Sequence, residues 1–302
     1  RWWRSLLALP VKGRKVKVVK GIDYVGDGLN AHRLDVIADA KGAVGAPVLV
    51  YVHGGAWVFG DKREQALPMM YELARRGWVC VAVNYRLSPK GTWPDHIVDV
   101  KHALAWVKRE IAAFGGDPSF VALAGGSAGG HLVALAALTP GVEEFGGGNP
   151  EARDVTVDAV IPIYGVHDME GHPDLMGRFG RGLTTLLETQ VMKTTMLEHP
   201  EVFAKASPLE HVRADAPPTY VLQGTHDTLV PVVVARRFVN ELRAAGAPVV
   251  AYTELPFAQH AFDITASPRS AASTAGIAAF LDAVRARHGQ RHEHQQPAER
   301  SS

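Results

Sequence analysis

Ser127 stands in Gly125-Gly126-Ser127-Ala128-Gly129-Gly130, between an apolar strand-like run, Phe120 to Ala124, and a helix-like run, Leu132 to Leu138. A chain that turns from strand to helix over so few residues has little room for side chains. Glycines on either side let the backbone bend and let the serine project alone. The helix then begins at the serine, so its unpaired N–H groups and positive dipole end lie beside the hydroxyl. That setting suits a nucleophile whose attack creates an oxyanion. The bland alternative is a glycine-rich strand–helix loop, and the partners of the serine decide between the two.

A serine hydroxyl is a poor nucleophile until a base takes its proton, and the base needs a third group to fix its tautomer and stabilise the cation. In the sheets built around a Gly-x-Ser-x-Gly strand–turn–helix the chain order is serine, then acid, then histidine. Two late segments supply candidates in that order. Asp227 lies in Gln223-Gly224-Thr225-His226-Asp227, after a strand and before a helix. Its alternative role is a helix-capping or turn aspartate. Asp215 is a weaker rival because it precedes the strand. His260 lies in Pro256-Phe257-Ala258-Gln259-His260, after the last strand, where a structural loop histidine is the alternative. Asp263 reads as a cap of the following segment.

An oxyanion needs backbone N–H donors aimed at it. Ala128, the residue after the nucleophile, is one candidate donor. His53-Gly54-Gly55-Ala56-Trp57 follows another buried strand, and its small residues allow the backbone to approach a substrate carbonyl. Gly55 and Ala56 are the expected donors there, with Gly54 freeing the turn against the substrate and His53 anchoring the loop. Trp57, Phe59 and Trp93 would either line an acyl pocket or serve as core aromatics. His131, one helical turn past Ser127, reads as a buried or pocket-edge residue rather than a second base. His288, His292 and His294 read as part of a solvated tail rather than a metal site. Ser127 occupies the position where a dinucleotide-binding Gly-x-Gly-x-x-Gly needs glycine, so that function is not supported.

The elements that must carry these residues are legible in the pattern. Val16 to Val25 and Ala31 to Ala38 read as a hairpin joined at Gly26-Asp27-Gly28. Further strands are expected over Pro47 to Val52, Trp78 to Asn84, Phe120 to Ala124, Val157 to Tyr164, Thr219 to Gln223 and Val249 to Leu255. Helices are expected over Lys62 to Arg76, around Ile97 to Ile111, over Pro231 to Ala245 and over Ser270 to Arg287. Thr139 to Arg153 reads as a loop. Alternating strands and helices imply a mostly parallel sheet covered on both faces. Chemistry in such a sheet gathers at the carboxyl ends of the strands, where His53, Ser127, Asp227 and His260 all fall.

The chain has 302 residues, 47% of them hydrophobic, with a net charge of +1 and one cysteine, Cys80. This leaves no basic footprint for nucleic acid and excludes an internal disulfide. Cys80 sits in an apolar run and reads as an inert buried thiol. No apolar stretch is long enough to span a bilayer. Arg1 in place of Met suggests a processed or truncated start. Trp2, Trp3, Arg1 and Arg4 suit either a peripheral membrane contact through this N-terminal segment or a short amphipathic piece packed on the domain, and the second is preferred. Localisation is thus left between cytoplasmic and membrane-associated, and oligomeric state is left open.

The motifs His53-Gly54-Gly55-Ala56-Trp57, Asn84-Tyr85-Arg86-Leu87-Ser88-Pro89, Gly116-Asp117-Pro118 and Gly125-Gly126-Ser127-Ala128-Gly129-Gly130 resemble the hormone-sensitive-lipase-like esterases of the α/β-hydrolase superfamily, especially actinobacterial members. The similarity runs from about Val18 to Arg287. It implies an α/β-hydrolase fold with a mostly parallel eight-stranded sheet, helices on both faces and a small helical cap. The implied division is a single domain over residues 1–288, with the cap drawn from about 1–14 and 165–208, and a disordered tail over 289–302. It also implies a triad of Ser127, Asp227 and His260 acting on a small-molecule or lipid ester with no metal or organic cofactor; a small mixed cap and a modest aromatic count favour short or medium acyl chains. An amide-cleaving relative, such as an arylformamidase or peptidase, and a non-catalytic ligand-binding member are the alternatives. Three departures stand out: Ala56 replaces the family's usual third glycine, Gly126 stands where aspartate is frequent, and the acid loop reads His226-Asp227-Thr228-Leu229-Val230-Pro231, closer to peptidase-like and formamidase-like relatives.

Overall fold

A computed structural model describes residues 16–171 and 180–295 of the chain. The apolar runs become strands β1 (Val16–Asp23), β2 (Arg33–Asp39), β3 (Ala46–Val52), β4 (Val79–Val83), β5 (Gly116–Gly126), β6 (Ala159–Ile163), β7 (Thr219–Gly224) and β8 (Val250–Leu255). Between and after them run α1 (Leu67–Arg75), α2 (Asp95–Glu110), α3 (Ala128–Leu138), α4 (Glu143–Gly146), α5 (Pro150–Arg153), α6 (Gly180–Leu186), α7 (Pro200–Ala206), α8 (Val232–Ala244) and α9 (Pro268–Gln295). One eight-stranded sheet results, in the order β1-β2-β4-β3-β5-β6-β7-β8. The β1–β2 and β2–β4 pairs are antiparallel and all later pairs are parallel. The α/β-hydrolase expectation therefore holds.

Every residue of β3 and β4 is buried, which is why these strands read as unbroken apolar runs rather than alternating ones. Alternate side chains still serve opposite layers. Val48, Val50 and Val52 pack with Ile97 and Leu104 of α2 and Leu132 of α3. Leu49 and Tyr51 pack with Met70 and Leu73 of α1 and Ile277 and Leu281 of α9. Truncating such a residue to alanine costs about 2–5 kcal/mol, so the sheet is a rigid base for whatever its ends carry.

Several boundaries differ from the sequence reading for local reasons. The first helix starts at Leu67 rather than Lys62, because Ala66 is left-handed at φ 55° and Pro68 opens the first turn. The expected loop over Thr139 to Arg153 contains α4 and α5, the latter capped by the Asn149 side chain. The disordered tail expected from residue 289 is corrected in part: α9 continues through Gly289 to Gln295. A lone glycine costs a helix only about 1 kcal/mol, and the flanking arginines and glutamines are good helix formers. His288 is likewise not a solvated tail residue. Its ring lies 5.2 Å from Phe120 and 3.6 Å from an Asp158 oxygen.

After β6 come α6, a π-helical turn over Leu187–Met192, α7 and a 3-10 turn over Pro208–His211. This is the stretch where the resemblance places cap residues. Residues 1–14, the other expected part of the cap and the segment weighed between a domain-packed piece and a membrane contact, lie outside the described residues, as do 172–179. No helix among the described residues is long and apolar enough to cross a membrane.

Candidate active site

β5 ends at Gly126 and α3 begins at Ala128, leaving Ser127 alone at the turn with φ 55° and ψ −119°. A non-glycine residue there is held against its preference, a strain found at sites that must project one side chain. The flanking glycines have a steric cause. A Cβ at Gly125 would lie 2.6 Å from the Gly129 carbonyl oxygen, and one at Gly129 would lie 2.1 Å from that of Val52. The turn is also tied sideways, since the Ser127 N–H donates to the Ile163 carbonyl at 3.0 Å.

His260 and Asp227 meet Ser127 across long stretches of chain. His260 Nε2 lies 2.8 Å from Ser127 Oγ, and its Nδ1 lies 2.7 Å from Asp227 Oδ2. A carboxylate only accepts, so Nδ1 carries the proton and Nε2 is left to accept from the hydroxyl. Asp227 is buried, and its other bonds hold it in place. Oδ1 accepts the Leu229 and Val230 N–H groups at 2.9 and 2.8 Å, and Oδ2 also accepts Gln223 Nε2 at 3.0 Å. The turn role and the histidine-orienting position thus coincide in one residue. Asp215, the rival, is exposed and pairs with Arg213.

The loop after β3 is built for backbone exposure. Gly55 has φ 122°, Ala56 φ 50° and Trp57 φ 60°. The Gly55 carbonyl accepts the N–H groups of Val58 and Phe59, both at 3.0 Å, which curls the segment into a turn. Gln65 Oε1 accepts the Gly54 N–H at 2.8 Å. Among the described residues no acceptor engages the N–H groups of Gly55, Ala56 or Ala128, the last being in the first turn of α3, where backbone donors have no helical partner. His53 anchors the loop as expected: its Nδ1 bonds the Gly54 carbonyl at 2.8 Å, its ring stacks on Tyr85 at 4.6 Å, and the Tyr85 hydroxyl donates to its carbonyl.

Ser127 and His260 open onto a largely apolar cavity of about 180 Å³ whose walls include Gly54, Gly55, Ala56, Trp57, Phe59, Tyr164, Val166 and Leu183. A second chamber of about 70 Å³ shares Val166, Leu183, Leu229 and Val230 with it. Trp57 and Phe59 therefore line the site, Trp57 also packing in the core edge-on to His131, whereas Trp93 packs against Phe145. His131 is fully buried, bonds the Ala206 carbonyl at 2.7 Å, and is pushed down to about 4 by desolvation, so it stays neutral. Among the described residues, no three His, Cys, Asp or Glu side chains gather as a metal ion would require.

Sequence reasoning passes over two residues of this site. Gln65 reaches it from a non-helical segment with no motif of its own. Tyr164 does carry a signal, because it ends a predicted strand at the carboxyl edge of the sheet.

A model of the BD-FAE family matches residues 34–242. The chain is 51% identical over 239 residues to the probable carboxylic ester hydrolase LipM of Mycobacterium tuberculosis, an alignment covering 79% of this chain and 54% of that protein. It is 45% identical over 242 residues to esterase LipQ of the same organism, covering 79% and 56% respectively. The chain thus spans about half the length of the curated relatives it matches. A truncated carbohydrate esterase from gut microbiota superposes with a TM-score of 0.78 at 24% identity, over 90% of this chain and 99% of that one, which is a likeness of fold.

Proposed function

The chain belongs to the BD-FAE family of hormone-sensitive-lipase-like α/β-hydrolases, and from that premise we propose that it is a serine carboxylesterase acting on short- to medium-chain acyl esters. The observation that carries this reading is the chain of two bonds, 2.8 Å from Ser127 Oγ to His260 Nε2 and 2.7 Å from Nδ1 to Asp227. Ser127 Oγ attacks the ester carbonyl as His260 takes its proton, and the buried Asp227 carboxylate stabilises the imidazolium. The N–H groups of Gly55, Ala56 and Ala128 receive the oxyanion, with the positive end of α3 adding to the field. His260 returns the proton to the leaving alcohol, leaving an acyl-enzyme on Ser127. Water, deprotonated by the same imidazole, then releases the acid and regenerates the hydroxyl.

The acyl preference is supported by the size and the apolar lining of the cavity, about 180 Å³ beside Ser127, with Trp57, Val166 and Leu183 in its wall. Ester cleavage itself accords with the names of the relatives, LipM a probable carboxylic ester hydrolase and LipQ an esterase. The test is turnover of p-nitrophenyl esters from acetate to dodecanoate beside N-formylkynurenine, with fluorophosphonate labelling of the protein and of Ser127→Ala. Hydrolysis that peaks at short or medium esters, and that falls on the order of 10⁵–10⁶-fold in Ser127→Ala together with labelling, is expected. Turnover of the formamide alone would transfer the same machinery to amide cleavage. Labelling that persists in Ser127→Ala, or an unlabelled and inert wild type, would refute the reading.

A further inference from the structure

We propose that Tyr164 and Asp263 form a positioning pair that sets His260 against Ser127, a role that rests on the serine-hydrolase reading above. Tyr164 is the first residue past β6, and it is buried. Three elements of the site converge on it. The carbonyl of Ile163, immediately before it, accepts the Ser127 N–H at 3.0 Å, and its own N–H donates to the Leu222 carbonyl of β7 at 2.7 Å. β7 leads directly into the loop that carries Asp227. The Tyr164 ring lies 4.7 Å from the His260 ring, and its hydroxyl donates to Asp263 Oδ1, three residues beyond that histidine.

The backbone of Tyr164 has φ 39°, a conformation that a bulky L-residue occupies only when its surroundings hold it. Here the hold comes from both ends: the N–H bond to β7 and the hydroxyl bond to Asp263. Gly126 makes this possible. A Cβ at position 126 would lie 2.9 Å from the Tyr164 hydroxyl and 3.1 Å from a ring carbon, so a side chain beside the nucleophile would displace the tyrosine ring from this position. The Tyr164 hydroxyl, close to Gly126, meets a carboxylate at this corner, that of Asp263.

The loop needs this tie. On the amino-terminal side of His260 the chain is pinned by the bond from the His226 N–H to the Ala258 carbonyl, and His260 itself is held by its imidazole bond to Asp227. On the carboxyl-terminal side, the bond that the Tyr164 hydroxyl donates to Asp263 closes the loop back onto the sheet. A general base must be held to within a few tenths of an ångström, and about 1 Å of misplacement costs on the order of 10²-fold in rate.

The experiment compares wild type, Tyr164→Phe, Asp263→Asn, Asp263→Ala and the Tyr164→Phe/Asp263→Ala double variant. It reads kcat and KM on p-nitrophenyl butyrate, the rate of fluorophosphonate labelling, and Tm. Tyr164→Phe and Asp263→Ala are expected to lower kcat and labelling rate together by about ten- to a hundredfold with KM changed less than about threefold. The double variant should be no worse than the worse single, because both remove one bond. Asp263→Asn, whose amide oxygen can still accept the hydroxyl, should recover most of what Asp263→Ala loses. Should Asp263→Ala fail to fold, the near-isosteric Tyr164→Phe and Asp263→Asn decide the question by themselves. Tyr164→Phe turning over at the wild-type rate, losses that multiply in the double variant, or an effect confined to KM would overturn the pairing while leaving the esterase reading intact. A wild type that is neither labelled nor active would overturn that reading, and this proposal with it.

Discussion

Gly55→Ala tests whether the loop after β3 supplies the oxyanion donors. A Cβ at residue 55 would stand 1.9 Å from the Phe59 carbonyl oxygen and 2.7 Å from its carbon. Both are backbone atoms, so no side-chain rotation relieves the clash. The φ of 122° is itself one that L side chains rarely adopt. Residue 55 must therefore move, breaking the bonds its carbonyl accepts from Val58 and Phe59. Strain of about 1–3 kcal/mol and two hydrogen bonds at about 1 kcal/mol each give a loss on the order of 3–5 kcal/mol. With an unfolding entropy of about 2.1 cal/mol/K per residue, a chain of 302 residues loses about 5–8 °C in Tm. The N–H groups of 55 and 56 leave together, and since one donor is worth about 10²–10³ in turnover, kcat should fall at least about 10³-fold. At the next residue the sign reverses. Ala56 sits at φ 50°, where relief of about 1–2 kcal/mol outweighs the added chain entropy of glycine, so Ala56→Gly should raise Tm by up to about 2 °C. Calorimetry and p-nitrophenyl butyrate kinetics on both variants measure these effects. Gly55→Ala with kcat within tenfold of wild type and an unchanged Tm would refute the reasoning.

Asp227→Asn keeps an oxygen for the Leu229 and Val230 N–H groups but favours the wrong histidine tautomer; kcat should drop on the order of 10³–10⁴-fold with Tm nearly unchanged. His96 and His131, held at about 4 by burial, and His167, at about 3, stay neutral in the folded state, against about 6.5 when unfolded. Their contribution is complete above pH 6.5 and is lost as pH falls toward 4 and then 3, so Tm should decline across that window. His167→Phe should flatten the slope by about one proton; an unchanged slope would count against it. Lys101 is buried, donates to the Thr139 and Arg153 carbonyls, and is lowered by desolvation to about 8. Between pH 8 and about 10.5 the unfolded chain binds the extra proton, so stability attributable to this site rises with pH. Chemical denaturation of Lys101→Met across that range should show the rise removed.

Much of this was written along the chain. The order of Ser127, Asp227 and His260, each just past an apolar run, and the glycines that allow a bare turn are consequences of local backbone geometry, which leaves its mark in neighbouring residues. So are the buried strands, because burial on both faces demands continuous β-branched residues. The tertiary structure decided what lies next to what. Gln65 reaches Gly54 only because the loop after β3 curls back on itself, and Tyr164 bonds a residue 99 positions away only because β6 and β8 lie on either side of β7. That Trp57 serves both the core and the cavity wall, while the partly buried Trp93 packs on Phe145, is of the same kind. Sequence patterns record how each segment meets water and its own backbone. A contact between distant side chains adds little to that record, so it becomes visible only when the sheet has closed around it.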